Sequence, residues 1–179
     1  MRAFIGILVS ENVRNVAVKM QEELKKVGIV GKYVEIKNLH VNLSFIGEIS
    51  ESESLEIAAK MDMIARGYKK FKVSIVAVKA IPNKKIVRVV AFDVVQENEL
   101  LRSLSKDVQK SIGGDVKPPH MTLCRVKGLK DKRKFFEFVE SYEKTSFVEF
   151  DVNSVQLIKS ELDKEGPIYT IIHESKFSS

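Results

Sequence analysis

The chain has three histidines in 179 residues. Two of them sit in copies of one short pattern, Leu39-His40-Val41-Asn42-Leu43 and Pro119-His120-Met121-Thr122-Leu123. The copies lie eighty positions apart, and their flanks match as well: Ile36-Lys37 leads into one and Val116-Lys117 into the other. In each copy a hydrogen-bonding side chain follows the histidine at the second position. An imidazole titrates near neutrality, so two of them can act as acid and base in a single displacement. With a phosphate between them, one would take a proton from attacking water while the other protonates the leaving oxygen. Asn42 and Thr122 would donate to the non-bridging oxygens and stabilise the charge that develops there. The residues call for no metal and no other cofactor. No His-x-His or His-Glu-x-x-His pattern occurs, and no acidic cluster adjoins either histidine.

A lone histidine on a strand is more often a packing or solvated residue than a reactive one. His173 has no repeated context and keeps that reading. The duplication and the partner two positions on reverse it for His40 and His120. Cys124 is a further nucleophile candidate, but four residues along a strand span roughly 13 Å, too far for a hydrogen bond to His120. It reads as a small filler near the cleft.

The elements that must hold these side chains follow from periodicity. Residues 2–9 read as a buried strand rather than a signal peptide, because the apolar run passes into Ser10-Glu11-Asn12 without a cleavage site. A helix follows, with Val13, Val16, Ala17, Met20, Leu24 and Val27 at helical spacing and Gly28 as its stop. Tyr33–Ile36 and residues 39–46 read as strands. Ser50 and Glu53 form a capping-box pattern for a second helix that ends at Gly67. Phe71–Ala80 and Ile86–Val95 are strands, Glu97–Ile112 a helix and Met121–Val126 the His120 strand. Asp131–Tyr142 is a helix, Phe147–Lys159 a long strand and Ile168–Glu174 the last strand.

Each half thus runs strand, helix, histidine strand, helix, strand. The expected fold is α+β: two βαβαβ-like units about a pseudo-twofold axis, with antiparallel or mixed sheets lining a central cleft and helices outside. Residues 1–179 form one domain, its two lobes built mainly from the two halves of the chain. Strict alternation sets His40, Asn42 and Ser44 on one face, and likewise His120, Thr122 and Cys124. Phe45 and Arg125 then point away from the histidines unless a bulge or twist intervenes.

Composition agrees with a globular chain: 44% of residues are apolar and 30% charged. No segment approaches the roughly 18 apolar residues of a membrane span. A single cysteine excludes an internal disulfide and fits the cytoplasm. The net charge of +6 is compatible with a polyanionic partner such as RNA.

Two His-x-Thr-like triplets eighty residues apart, with these flanks, resemble the two-histidine (2H) phosphoesterases. Within them the chain is similar to the RNA 2′,3′-cyclic phosphodiesterase family, also called the LigT or 2′-5′ RNA ligase family. Met1-Arg2-Ala3-Phe4-Ile5 resembles its opening strand. Asn38 through Glu48 and Pro119 through Lys127 resemble its two motif blocks, and Ser160-Glu161-Leu162 with Gly166-Pro167-Ile168-Tyr169 its closing hairpin.

The resemblance implies metal-independent opening of RNA 2′,3′-cyclic phosphate ends to 2′-phosphomonoesters in a basic central groove. It also implies, in some members, reversible 2′-5′ joining of RNA ends. By position, His40 would be the proton donor, His120 the acceptor, Thr122 a phosphate ligand, Phe45 a base-stacking ring and Arg125 a phosphate contact. A monomer is expected. Asn42 departs from the Thr or Ser of the family triplet, although an amide still donates to phosphate. Two other readings stay open: a non-catalytic RNA-end-binding module, which Asn42 favours, and a phosphodiesterase for small cyclic nucleotides.

Overall fold

The computed structural model of the protein describes residues 1–96 and 98–179. Five successive buried residues, Ala3 to Ile7, make β1 (Arg2–Leu8) a strand covered on both faces, as an apolar run without alternation requires. Around it follow α1 (Glu11–Lys26), β2 (Ile29–Tyr33), a 3₁₀ turn (Ile36–Asn38), β3 (His40–Glu48), α2 (Glu51–Ala65) and β4 (Phe71–Pro82). The remainder comprises β5 (Val87–Val95), α3 (Leu100–Ser111), β6 (His120–Leu129), α4 (Lys132–Ser141), β7 (Ser146–Val152), β8 (Ser154–Asp163) and β9 (Gly166–Lys176).

All strand pairs are antiparallel, in two sheets ordered β3-β1-β8-β9 and β2-β6-β5-β4-β7. Each sheet therefore draws strands from both halves of the chain, and the expected assignment of one half to each lobe is corrected. The exchange has three causes: β2, after α1, joins the sheet of the second histidine beside β6, β4 joins the same sheet between β5 and β7, and β8 returns to flank β1 with β9 outside it.

Two strand assignments change as well. The strand expected at Tyr33–Ile36 is β2, which starts directly after Gly28 and pairs Ile29–Tyr33 with Leu129–Cys124; residues 36–38 coil into the 3₁₀ turn. The long strand expected at 147–159 is broken at Asn153 into β7 and β8, which belong to different sheets. The Asn153 carbonyl leaves the ladder and accepts from the Phe177 amide at 2.8 Å. The third helix begins at Leu100; its expected start, Glu97, lies outside the described residues.

The helices cover the outer faces. In α2, Ser50 Oγ accepts from the Glu53 amide while Glu53 returns a bond to the Ser50 amide, the capping box read from sequence. Its Ile57, Met61 and Ala65 are buried, and its exposed side reaches β9 through Asp62, which accepts from His173 Nε2 at 2.8 Å and Ser175 Oγ at 2.7 Å. Phe92, Phe135, Leu104, Met121 and Leu123 are fully enclosed in the core. Burying each such side chain stabilises the fold by about 1.5–3 kcal/mol before entropy is counted. No helix among the described residues is long and apolar enough to cross a membrane.

Candidate active site

Residues directly opposed across an antiparallel ladder share a face, so register decides what surrounds each histidine. On β3, His40 opposes Leu8, Asn42 opposes Gly6, Ser44 opposes Ile5 and Phe45 opposes Phe4. Leu43 is skipped: it is a bulge residue. On β6, His120 opposes Asp93, Thr122 opposes Ala91, Cys124 opposes Val90 and Arg125 opposes Val89, and here Leu123 is skipped. One extra residue inverts the alternation beyond it. Phe45 therefore returns to the face of His40 and Asn42, and Arg125 to the face of His120 and Thr122.

The strict alternation expected from sequence is corrected on both strands. Ser44 and Cys124 turn inward instead, both fully buried. Ser44 Oγ donates to the Gly113 carbonyl at 2.7 Å, and burial pushes the Cys124 thiol up to about 11, an inert state.

Backbone contacts bring the two strands together. Phe45 and Asp115 exchange both backbone bonds, at 3.0 and 2.8 Å, just ahead of β6. Gly114 closes this junction. Its φ is +90°, and a β-carbon there would fall on Ser44 Oγ and lie 2.7 Å from the Phe45 carbonyl. At the other end, Gln21 Nε2 donates to the carbonyls of Val34 and Leu123, at 2.9 and 3.0 Å, locking the approach to His40 against β6.

Both imidazoles are held in the same way. His40 Nδ1 lies 2.7 Å from the Asn38 carbonyl and His120 Nδ1 lies 2.9 Å from the Pro118 carbonyl, each two residues upstream. A carbonyl only accepts, so each Nδ1 carries the proton and each Nε2 is the titrating atom. Asn38 is itself fixed by donating to the Pro167 carbonyl at 2.9 Å.

His40 is the more enclosed of the two. Its ring centroid is 4.7 Å from Phe4 and 5.6 Å from Tyr169, which meets it edge-on. Burial lowers its pKa below the usual histidine range, the Asn38 carbonyl opposes that shift, and the nearby His120 and Arg125 charges lower it further. The tyrosine phenol is pushed up by its own burial, against the charges of Arg125 and Arg2. Arg2 also lies over the Phe45 ring at 4.9 Å. Among the described residues, the side chains of Asn42, Thr122 and Arg125 take no hydrogen-bond or ion-pair partner, which leaves their donors open to a ligand.

Thus, of the six residues expected from sequence, His40, Asn42 and Phe45 share one face of one sheet, His120, Thr122 and Arg125 share one face of the other, and His120 and Arg125 lie near enough for their charges to act on His40. Four further residues, Arg2, Phe4, Gly6 and Tyr169, were not among them. Arg2, Phe4 and Gly6 share the His40 face through the β1–β3 register, which no single-strand pattern reveals. Among the described residues, no three His, Cys, Asp or Glu side chains form a group that could hold a metal ion.

Comparison with known proteins agrees with this fold. The LigT like Phosphoesterase family model matches residues 7–91. The RNA 2′,3′-cyclic phosphodiesterase of Aquifex aeolicus is 31% identical over 97% of this chain and 95% of its own length. That of Methanocaldococcus jannaschii is 32% identical, covering 97% of this chain and 99% of its own. Among solved structures, one from Thermus thermophilus superposes with a TM-score of 0.80 at 24% identity, covering 99% of this chain and 98% of that one. E. coli LigT complexed with ATP gives 0.75 at 18% identity over the same shares. At these identities the structural likeness speaks for the fold.

Proposed function

Since the chain belongs to the LigT-like, two-histidine phosphoesterase family, we propose that it hydrolyses RNA 2′,3′-cyclic phosphate ends to 2′-phosphomonoesters. The observation that supports this reading is the matched pair of imidazoles: each has Nδ1 tied to the carbonyl two residues upstream, which leaves Nε2 free, and His120 lies near enough for its charge to act on His40. The curated relatives that align along almost the whole chain bear the name of this activity.

In the proposed step, His120 Nε2 takes a proton from a water that attacks phosphorus. The bond from phosphorus to the 3′ oxygen breaks, and His40 Nε2 gives its proton to that oxygen. His40 prefers the neutral state in the empty cleft, so the anionic phosphate supplies the charge that loads it with a proton. Thr122, Asn42 and Arg125 donate to the non-bridging oxygens, where negative charge grows in the transition state. Phe45 offers its ring to the terminal base, with Arg2 on its far side. Joining ends through a 2′-5′ linkage is the same step with a 5′-hydroxyl in place of water, and the roles of the two histidines exchange when that linkage is cleaved back to the cyclic phosphate. No step requires a metal. A single buried cysteine suits a reducing compartment, and we place the enzyme in the cytoplasm as a monomer.

The test is a short RNA ending in a 2′,3′-cyclic phosphate, assayed with and without a chelator. His40→Ala and His120→Ala should each lower turnover by about 10²–10⁴-fold. Wild-type rates in both variants would sink the mechanism.

A further inference from the structure

At the far end of β6 from His120 lies a groove of about 230 Å³ that the proposed reaction does not use. Lys84 and Lys85 enter it from the β4–β5 loop, Lys127 from β6 and Lys132 from the start of α4, beside Val87 and Gly128. We propose that this lysine groove binds the phosphodiester backbone of an RNA whose reactive end occupies the histidine cleft. The proposal rests on the RNA reading above and adds a second contact region to it.

Three observations carry it. First, the charge is largely uncompensated. Lys84 meets Glu140 and Glu143, each at 3.4 Å, whereas Lys85, Lys127 and Lys132 take no ion-pair partner among the described residues and are exposed.

Second, α4 opens with Lys132-Arg133-Lys134 behind its cap Asp131, whose carboxylate accepts from the Lys134 amide at 3.1 Å, and Arg133 pairs with Glu137 at 3.2 Å. Lys132 and Lys134 take no ion-pair partner among the described residues, and a bound anion would offset their repulsion at the positive end of the helix. Three elements converge on the groove, so the arrangement is more than a helix start.

Third, β6 joins groove and cleft without interruption. Seven residues separate His120 from Lys127, roughly 23 Å of strand at about 3.3 Å each. That is close to seven nucleotides at the roughly 3.4 Å helical rise per strand. Arg125 stands between them, exposed on the histidine face. An RNA with its cyclic end at the histidines can therefore reach the lysines only when it is several nucleotides long.

The experiment compares wild type with the variant K85E/K127E/K132E on three substrates ending in a 2′,3′-cyclic phosphate: a single-stranded dodecamer, a trinucleotide and a mononucleotide. The variant is expected to lose about tenfold or more in kcat/KM on the dodecamer at low salt. Its log–log salt dependence should become shallower by about two, from three lost contacts at about 0.7 each. Trinucleotide and mononucleotide turnover should stay at the wild-type level. Unchanged dodecamer turnover, or an equal loss on all three substrates, would overturn the groove assignment while leaving the cleft chemistry intact. If wild type turned over none of them, the hydrolase reading would fail by itself. Anisotropy binding of an unmodified dodecamer then decides the groove, and equal affinity of wild type and variant overturns it.

Discussion

Leu43 and Leu123 are the bulged residues of the two histidine strands, eighty positions apart, and neither has a partner in the β1 or β5 register. Both are completely buried. The bulge therefore occupies the same place in each copy of the motif, three residues after the histidine. Its effect is also the same: the side chain two positions beyond it, Phe45 in one strand and Arg125 in the other, swings back to the face of the histidine. Each strand thereby presents Phe45 or Arg125 beside its histidine where strict alternation would put Ser44 or Cys124.

Arg125 should accordingly act on bound phosphate. A charge-assisted hydrogen bond contributes about 1.5–3 kcal/mol, so Arg125→Ala is expected to raise KM for a cyclic phosphate substrate by about 10–100-fold. Arg125→Lys should recover part of the loss, since the charge returns without the planar fork. An unchanged KM in Arg125→Ala would show that the guanidinium faces solvent during the reaction.

Asn42 opposes Gly6 on the histidine face and is half-buried, well placed to donate its amide protons to phosphate. Asn42→Ala should then lower kcat more than it weakens substrate binding. Asn42→Thr should retain or raise kcat, because a hydroxyl donor takes the same place. A collapse in Asn42→Thr, with the fold intact by circular dichroism, would mean that this site depends on the longer amide.

Gly6 makes room for His40. A β-carbon at position 6 would lie 3.2 Å from His40 Cδ2 and 3.0 Å from the Val41 carbonyl, closer than side chains normally pack. Gly6→Ala should therefore tilt the His40 ring and reduce kcat by about tenfold for a displacement of a few tenths of an ångström, with little change in KM. Wild-type kcat in this variant would show that the ring has slack.

These relationships also mark what the sequence could carry. Periodicity placed the helices and most strands within a few residues, because each buries one continuous apolar stripe, as Ile57, Met61 and Ala65 do in α2. The histidine pair with Asn42 and Thr122 was legible because a repeated short pattern survives in one dimension. The sides taken by Phe45, Arg125, Ser44 and Cys124 were not, since a bulge is a property of two strands in register. The same reason hid Phe4 and Tyr169 as neighbours of His40: one lies on the adjacent strand, the other on a strand from the far end of the chain. The partition of the sheets was hidden too, because long-range pairing of β1 with β8 leaves no local trace.

His173, the histidine without a repeat, joins α2 to β9 through Asp62. The hydrogen bonds from His173 and Ser175 hold the Asp62 carboxyl below the usual aspartate range. Its folded pKa is depressed, so this stabilisation is full above the unfolded aspartate value near 3.8 and is lost as pH falls through the folded value. The carboxylate is partly exposed, which limits the pair to about 1 kcal/mol. Asp62→Ala should lower the unfolding free energy from urea titration at pH 7 by that amount and leave kcat unchanged. A fall in kcat would place this side of α2 in the reaction.

The last prediction concerns the proton on His40. Burial favours its neutral form, so in the free protein its titration midpoint should fall below the ordinary value of 6.5. Inorganic phosphate in the cleft adds an anion beside Nε2, favours the imidazolium and should move that midpoint upward. NMR titration of the His40 ring with and without phosphate reads both values directly. Kinetics provide an independent reading. If His40 donates the proton, kcat/KM falls as pH rises through its free-protein midpoint, whereas kcat falls at the higher midpoint of the complex. The two alkaline limbs should separate, and His40→Gln should abolish both. Stability follows with its own sign. The folded pKa lies below the unfolded one, so the contribution of a neutral His40 is complete above pH 6.5 and declines as pH falls toward the folded value. Relative to His40→Gln, the wild type should therefore lose stability below that pH. An acid limb in kcat/KM at the His40 midpoint, in place of an alkaline one, would make His40 the proton acceptor and exchange the roles of the two histidines.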